Sequence, residues 1–363
     1  MNDLSAMRAG VENLLFKCIE AQPGDSLFII AEEEGGYFSR SLASHIATLA
    51  RSYCLDTRII NTKFAEDATI LPKEIANILD ATDHILFLSR IGDQVRFTEL
   101  SGRSSKTMCY AQDEESFMSE FCSADYQFFL KFKNIVNAAL WGEKKITISC
   151  SSGTKLQGIS PKYTDTDIVG DVTIKRFPLN VCQPIPTATF SGVLAMSKWL
   201  CPTGSRFYQP DHVLINSVVY AHIENGRIVD FDGSESDVKK VRQHYEMVAQ
   251  RYNIDRDIVH SWHVGIHPQN GYFGLASDNL ARWSGSGFGN PRYLHLHSCG
   301  DYAPGEICIS VFDPTITVEG VDLWRNGELL IADTPLALDL MAMYPGMRQL
   351  FENPNRNFGI GDC

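Results

Sequence analysis

Short apolar runs alternate with helix-type segments along the first part of the chain. The intervening segments carry apolar residues every three or four positions. The strand-like runs lie at 26–31, 57–62, 84–89, 106–111 and 145–150. This alternation is typical of a mostly parallel sheet covered by helices. It predicts a doubly wound α/β domain over residues 1–160.

The second part of the chain consists of β-branched runs joined by turns. Residues 225–226 and 326–327 are both Asn-Gly pairs between apolar segments. Such pairs are typical of two-residue hairpins, because both turn positions take positive φ. A helix with a serine N-cap is predicted over 234–252. These features predict an antiparallel α+β domain over residues 161–363.

Composition is that of a folded globular protein, with 44% apolar and 21% charged residues in a chain of 363. The 32 basic and 44 acidic residues give a net charge of −12, which disfavours nucleic acids and anionic membranes as partners. No apolar run approaches the roughly 20 residues of a membrane helix, and the N-terminus lacks the pattern of a secretory signal. We expect a cytoplasmic protein with a small-molecule substrate, and a homodimer as an open alternative to a monomer.

Two features bear on redox state and nucleotide binding. The ten cysteines are scattered without a C-x-x-C pair, so we expect most of them to be reduced thiols in the core. The first strand is followed by AEEEGGYF, which has neither a dinucleotide-binding glycine pattern nor a phosphate-binding lysine. Nucleotide binding is therefore disfavoured. A second glycine cluster at 284–290 is interpreted as a mobile loop or lid.

Histidines cluster in one window of the chain. Five of the ten lie at 260, 263, 267, 295 and 297. The H-x-H pattern places His295 and His297 on one strand face, about 7 Å apart, which suits metal ligation. Strand alternation turns His260 away from His263. His267 follows in a loop, where it is a ligand or lines a substrate pocket.

Several segments resemble a known family. The run VVYAHIENGRIVDFDG, the segment SWHVGIHPQ, the histidine-bearing strand ending in SCG and the closing LWRNGELL resemble the aminopeptidase T family of metallopeptidases. They resemble its 2,5-dihydroxypyridine 5,6-dioxygenase relatives still more closely. The resemblance covers residues 175–330 by motif and the whole chain by organisation. It implies an aminopeptidase T-like fold, with His263 where the dioxygenases bind iron and His295 where the peptidases bind metal.

The chain also departs from that family. The strand that should carry H-x-D reads GEICISVFDP, which places Cys308 and Ser310 at those positions, or Ser310 and Phe312 in a shifted register, so the motif is absent. The segment PIPTATF at 184–190 lacks the glutamate of the peptidases, and Ser89 and Arg90 stand where the dioxygenases have a catalytic histidine. Two divalent ions need bridging carboxylates, so a dinuclear site is not expected.

A single ion fits the remaining residues better. His263, His295 and His297 supply three nitrogens and leave open positions, a variant of the non-heme iron arrangement. Glu306 is our candidate for a further ligand, and Asp301 and Asp313 are alternatives near the altered motif.

The leading hypothesis is therefore a mononuclear oxygenase-like enzyme acting on a small polar or aromatic molecule. Its cofactor is one divalent transition metal, with iron(II) favoured and zinc or manganese left open. Arg90 and His267 are the candidate catalytic residues, and Arg90 and Arg96 are candidates for pairing with a substrate carboxylate. A metallo-aminopeptidase of the same family is the first alternative. A metal-free binding protein with the family fold is the second.

Overall fold

The computed structural model describes residues 2–33, 36–66, 68, 70–96, 98, 100–162, 174–202, 208–300 and 305–360. These residues form two β-sheets and eleven α-helices. The strands are β1 (Ser26–Glu32), β2 (Asp56–Thr62), β3 (His84–Leu88), β4 (Ser105–Cys109), β5 (Lys145–Ser149), β6 (Lys155–Ile159), β7 (Lys175–Phe177), β8 (Ile185–Pro186), β9 (Ser191–Cys201), β10 (Val213–Glu224), β11 (Arg227–Asp232), β12 (Val259–Val264), β13 (Tyr293–Cys299), β14 (Glu306–Phe312), β15 (Thr315–Val318) and β16 (Val321–Trp324).

The helices differ widely in length. They are α1 (Asn2–Glu12), α2 (Leu42–Ser52), α3 (Lys73–Ala76), α4 (Ile91–Gln94), α5 (Glu114–Met118), α6 (Glu120–Ser123), α7 (Tyr126–Leu140), α8 (Glu235–Tyr252), α9 (Leu280–Ser284), α10 (Pro335–Ala342) and α11 (Met347–Glu352). A π-helical segment, Asn13–Ile19, continues α1. None of the described helices combines the length and the apolar character needed to cross a bilayer.

The first sheet is parallel, with the strand order β2-β1-β3-β4-β7. Ile29 of β1 lies between Ile59 and Leu86 of its two neighbours, and the apolar run of β1 is buried. This confirms a parallel sheet built from the first four predicted strands. Because the strands are parallel, the residues that follow their carboxyl ends meet at one edge of the sheet.

The fifth predicted strand belongs elsewhere. We predicted 145–150 as a strand of the parallel sheet, and that is wrong: β5 pairs antiparallel with β6 and β15. The alternation of exposed Lys145 with buried Ile146 and Ile148 is typical of an antiparallel strand that has one solvated face. The parallel sheet takes β7 as its fifth strand instead. The division into two domains at residue 160 stays a prediction.

The second sheet is antiparallel and follows the path β16-β15-β5-β6-β9-β14-β13-β12-β8; off this path, β10 pairs with β9 and β11 pairs with β10. The turn at 225–226 joins β10 to β11 with positive φ at both residues, as predicted. The predicted helix is α8, and Ser234 caps it by accepting from the backbone N–H of Asp237.

Two predictions about local structure need correction. The turn at 326–327 forms, but only a single bridge follows it, and Leu330–Asp333 is a 3₁₀-helix that leads into α10. The glycine cluster at 284–290, interpreted as a mobile loop or lid, is buried and includes a short 3₁₀-helix, Gly287–Gly289. A Cβ on Gly285 would lie 1.7 Å from the Tyr37 hydroxyl, and one on Gly289 would lie 2.5 Å from the Asn180 side chain. Glycine is therefore required there for close packing.

Candidate metal centre

Two neighbouring strands, β12 and β13, bring the two histidine segments to one face of the antiparallel sheet. In the register of β12 and β13, His263 pairs with His295. His297 lies two residues further along β13 and therefore on the same face. The sheet thus unites residues that are 34 positions apart in the sequence.

The three imidazoles are close enough to share one ion. One ring nitrogen from each of His263, His295 and His297 lies within 4.8 Å of the other two. The ring centroids are 4.4 Å apart for His263 and His295, 4.8 Å for His263 and His297, and 5.1 Å for His295 and His297. Nitrogens bound at about 2.1 Å to one metal are about 3 to 3.5 Å apart, so this cluster is near the geometry of a ligand set.

Burial keeps His263 and His295 in the neutral form that binds metal. His263 and His297 are each 6% exposed and His295 is 1% exposed. Desolvation lowers the pKa of His263 well below its usual value, and the nearby His295, His297, Arg176 and Arg96 lower it further. Desolvation, with His297 beside it, lowers the pKa of His295 to about 3. A neutral imidazole keeps a lone pair for an ion.

Hydrogen bonds fix how two of the rings are oriented. The Nδ1–H of His297 donates to Oε1 of Glu306 at 3.0 Å, and the Nδ1–H of His263 donates to the carbonyl of Cys182 at 3.4 Å. Their Nε2 atoms are 2.7 Å apart. With each Nδ1 acting as the donor, a neutral ring presents a lone pair at Nε2. Two lone pairs at this distance repel each other unless a cation, either a metal ion or a shared proton, lies between them.

The structure places Glu306 behind His297 rather than among the three rings. Its side chain is fully buried, and it contacts Nδ1, the ring nitrogen opposite the one that faces His263. A carboxylate in this position fixes the ring and raises the basicity of the ligand. His295 differs from the other two, because its Nδ1 has no hydrogen-bond partner in the part of the chain that the structure describes.

The altered family motif lies directly beside the cluster. In the register of β13 and β14, Cys308 pairs with His297 and Ser310 pairs with His295. The hydroxyl of Tyr293 contacts both residues, at 3.3 Å from the Cys308 sulfur and 2.9 Å from the Ser310 oxygen. Burial raises the pKa of Cys308 well above its usual value, which favours the protonated thiol.

Other sequence-predicted residues lie outside the cluster. Among the described hydrogen bonds, none joins His260 to the three clustered histidines. Its Nε2 lies 3.0 Å from the Cys299 carbonyl oxygen. His267 is fully buried, stacked on Phe129 at 3.9 Å and edge-on to Phe121 at 4.9 Å. It is packed among aromatic rings, so its catalytic role stays a prediction.

The acidic and basic candidates are placed as follows. Arg90 donates to both carboxylate oxygens of Glu32 and stacks on Phe64, which gives it a partner within the chain. Its pairing with a substrate carboxylate stays a prediction. Asp313 accepts two hydrogen bonds from Arg292, at 2.6 and 2.8 Å. Asp301 lies outside the described residues.

Sequence reasoning missed the residues that the parallel sheet contributes to this region. Arg176 of β7, Tyr110 after β4 and Asp93 of α4 lie far from the histidines in the sequence. Tyr110 packs edge-on against Phe288 at 5.3 Å, and Phe288 packs against His295 at 6.1 Å. The residues after the predicted parallel strands could have been considered, because ligands in such folds bind beyond the carboxyl ends of the strands.

A buried three-histidine cluster on an antiparallel sheet, beside the carboxyl edge of a parallel sheet, defines a candidate metal centre. The fold is shared with two enzymes of known structure. The 2,5-dihydroxypyridine dioxygenase from Pseudomonas putida KT2440 has a TM-score of 0.57 and 10% identity, and the match covers 90% of this chain and 96% of that one. AmpT, aminopeptidase T, from Thermus thermophilus has a TM-score of 0.50 and 11% identity, and the match covers 89% and 98%.

At such identities the comparison concerns the fold alone. It confirms the resemblance to aminopeptidase T and the dioxygenase that the sequence motifs indicated. No protein-family model matches the sequence, and no curated protein matches it.

Proposed function

We propose that this protein is a mononuclear metal-dependent enzyme with oxygenase-like chemistry on a small molecule. His263, His295 and His297 hold the ion. The observation that carries the proposal is the approach of two Nε2 atoms to 2.7 Å while a carbonyl and a carboxylate occupy the opposite ring nitrogens. A divalent ion held by His263, His295 and His297 would remove this repulsion, because the lone pairs would bind it.

The donor set favours one ion rather than two. Three neutral imidazoles suit iron(II), zinc or manganese, whereas a dinuclear centre needs bridging carboxylates. Cys308 and Ser310 stand where such groups would come from, and both are engaged by Tyr293. We favour iron(II) because three nitrogens leave open positions for dioxygen and substrate, and because one enzyme that shares the fold is a dioxygenase.

The chain's own residues have definable tasks at this centre. A bound iron(II) ion supplies a site at which dioxygen is activated beside the substrate. Glu306 holds the Nδ1 proton of His297 and orients its ring, and we assign it this role instead of direct ligation. The Cys182 carbonyl does the same for His263. Phe288 and Tyr293 pack on His295 and exclude water from that side.

A metallo-aminopeptidase is the second candidate, because AmpT shares the fold. The absence of carboxylates at the Cys308 and Ser310 positions counts against it. The metal-free binding protein requires that a shared proton, and not an ion, separates the two Nε2 atoms. A cytoplasmic location and a homodimer stay predictions from the sequence.

Metal analysis of protein purified without oxygen tests these alternatives directly. About one iron per chain supports the mononuclear oxygenase, and about two zinc or cobalt ions support the peptidase. Protein that takes up no divalent ion, even when each is added in excess, would show that the histidines share a proton and would overturn the proposal.

A further inference from the structure

A cavity of about 340 Å³ lies on the antiparallel sheet, where the pairing of β9 with β10 is interrupted. Three elements contribute polar residues to its lining. The turn between β5 and β6 contributes Ser151 and Ser152, β9 contributes Ser197 and Lys198, and β10 contributes Asn216. None of these residues is a candidate ligand of the metal centre, so the cavity is a separate site.

The interruption of the sheet is a β-bulge. The register of β9 and β10 shifts between Ile215 and Val219. Within that interval, Ser197 of β9 lies opposite positions 216–218 of β10. Extra residues in one strand leave polar groups outside the ladder and change the direction of side chains, and bulges are frequent beside functional sites. The bulge therefore explains how polar residues of two paired strands come to line one cavity.

A buried carboxylate holds the bulge in place. Asp237, in the first turn of α8, is 1% exposed. It accepts from the backbone N–H of Ser217, from the hydroxyl of Ser234 and from the ammonium of Lys240, each at 3.0 Å. Lys240 compensates the charge of Asp237. This carboxylate therefore fixes the bulge from the side of α8 and is already paired with a cation.

Lys198 takes a backbone conformation that costs energy. Its φ is 65°, in the left-handed region where a Cβ is crowded. Such conformations persist where the surrounding structure imposes them, and they cluster at functional sites. Within the described part of the chain, Lys198 forms no ion pair and no side-chain hydrogen bond, and its ammonium lies 6.0 Å from the centroid of the Phe312 ring. Its charge is therefore available to a ligand in the cavity.

The other polar side chains of the lining are also available. Those of Ser151, Ser152, Ser197 and Asn216 form no hydrogen bond with any residue that the structure describes. Residues with three hydroxyls, one amide and one ammonium thus line the same cavity, and no acidic residue is among its described lining residues. In a chain with a net charge of −12, this composition favours an anionic ligand.

We propose that this cavity binds the phosphate group of a small molecule. A phosphate carries up to two negative charges and three strong acceptor oxygens, which suit donors that come from three different elements. Lysine binds phosphate as a point charge, and hydroxyl and amide groups supply further hydrogen bonds. A carboxylate has two coplanar oxygens that suit the planar fork of an arginine, and no arginine is among the described lining residues.

Calorimetric titration of the intact protein tests the proposal. The protein is first freed of metal, so that phosphate cannot bind to an ion at the histidine cluster. Inorganic phosphate, methyl phosphate and acetate are titrated at one pH and one ionic strength. Both phosphates should bind at one site per chain and at least ten times as tightly as acetate, because acetate has fewer acceptor oxygens and less charge.

Variants locate the site. Lys198→Gln should weaken the binding of methyl phosphate at least tenfold, and Lys198→Arg should retain most of it because the charge is kept. Lys198→Gly should lose binding to the same extent as Lys198→Gln. Since glycine adopts positive φ freely, that variant removes the charge without disturbing the bulge. Lys155→Gln is the matched control, because Lys155 is exposed on the neighbouring β6 and lies outside the cavity.

Three outcomes would overturn the inference. The first is that the unsubstituted protein binds neither phosphate, or binds inorganic phosphate but not methyl phosphate. The second is that acetate binds as tightly as the phosphates, which would refute the ligand class. The third is that folded Lys198→Gly protein binds methyl phosphate as tightly as the Lys155→Gln control, which would place the anion elsewhere. None of these results depends on whether the histidine cluster holds a metal ion.

Discussion

His263 and His297 face each other with their Nε2 atoms 2.7 Å apart, while the Nδ1 atom of each donates to a fixed acceptor of the chain. The acceptors differ, because His263 donates to the carbonyl of Cys182 and His297 donates to the carboxylate of Glu306. Both rings are therefore held in a defined orientation by hydrogen bonds at the nitrogen opposite the facing Nε2 atoms.

The first prediction concerns the ligands. His263→Ala, His295→Ala and His297→Ala should each lower metal affinity by at least tenfold, because each removes one of three nitrogen donors. Metal content after dialysis measures this, and circular dichroism monitors folding. His260→Ala is the control, since its Nε2 contacts the Cys299 carbonyl. Full metal occupancy in a folded His263 variant would show that the ligand assignment is wrong.

The second prediction concerns Glu306. Glu306→Gln removes the negative charge but keeps a side-chain oxygen that can accept from His297. We expect metal affinity to fall by about tenfold to a hundredfold, as for other carboxylates that orient ligating histidines. A competition titration with a chelating dye measures the change. Glu328→Gln, at an exposed ion pair with Arg356, is the control. An affinity equal to that of the unsubstituted protein would remove Glu306 from the site.

The third prediction concerns peptidase activity. Hydrolysis of leucyl chromogenic amides should be negligible even with added cobalt or zinc, because Cys308 and Ser310 cannot bridge two ions. The measurement is a rate above the metal-only background. Robust turnover that His263→Ala abolishes would contradict this expectation and favour the aminopeptidase.

Much of the site could be predicted because its signal is local. The spacing of His295 and His297 fixes their shared face through strand geometry alone, and the family resemblance added His263. The register of β12 and β13 then confirmed that the three lie together. The parallel strands could also be predicted from the sequence, since their apolar runs are continuous and are bounded by helical segments.

Long-range pairing explains what the sequence did not reveal. The sequence did not reveal that Arg90 pairs with Glu32, which lies 58 residues away on β1. Arg176 gave no sequence signal, because its position beside the cluster arises only when β7 joins the parallel sheet. The strand at 145–150 was misassigned because strand pairing is decided by tertiary contacts. Its alternation of polar and apolar residues, which matches its alternating burial, already indicated an antiparallel strand with one solvated face.

The last prediction concerns stability in acid. His267 is fully buried against Phe129 and Phe121, and desolvation lowers its pKa to about 3. In the unfolded chain its pKa returns to about 6.5, so below that pH the unfolded state binds a proton that the folded state does not. The stability contributed by neutral His267 is therefore complete above pH 6.5 and is lost progressively as the pH falls toward 3.

The expected size follows from linkage. One such histidine lowers the free energy of unfolding by about 1.4 kcal/mol per pH unit, or about 2 kcal/mol between pH 6.5 and pH 5. His267→Leu removes this titration, so urea unfolding in the presence of a chelator should show about 2 kcal/mol less acid destabilisation between pH 7 and pH 5. Phe121→Leu is the control, because it weakens the same packing without removing a titratable group and should lower stability similarly at both pH values. Equal acid destabilisation in His267→Leu and the unsubstituted protein would show that His267 takes up its proton in the folded state as readily as in the unfolded chain.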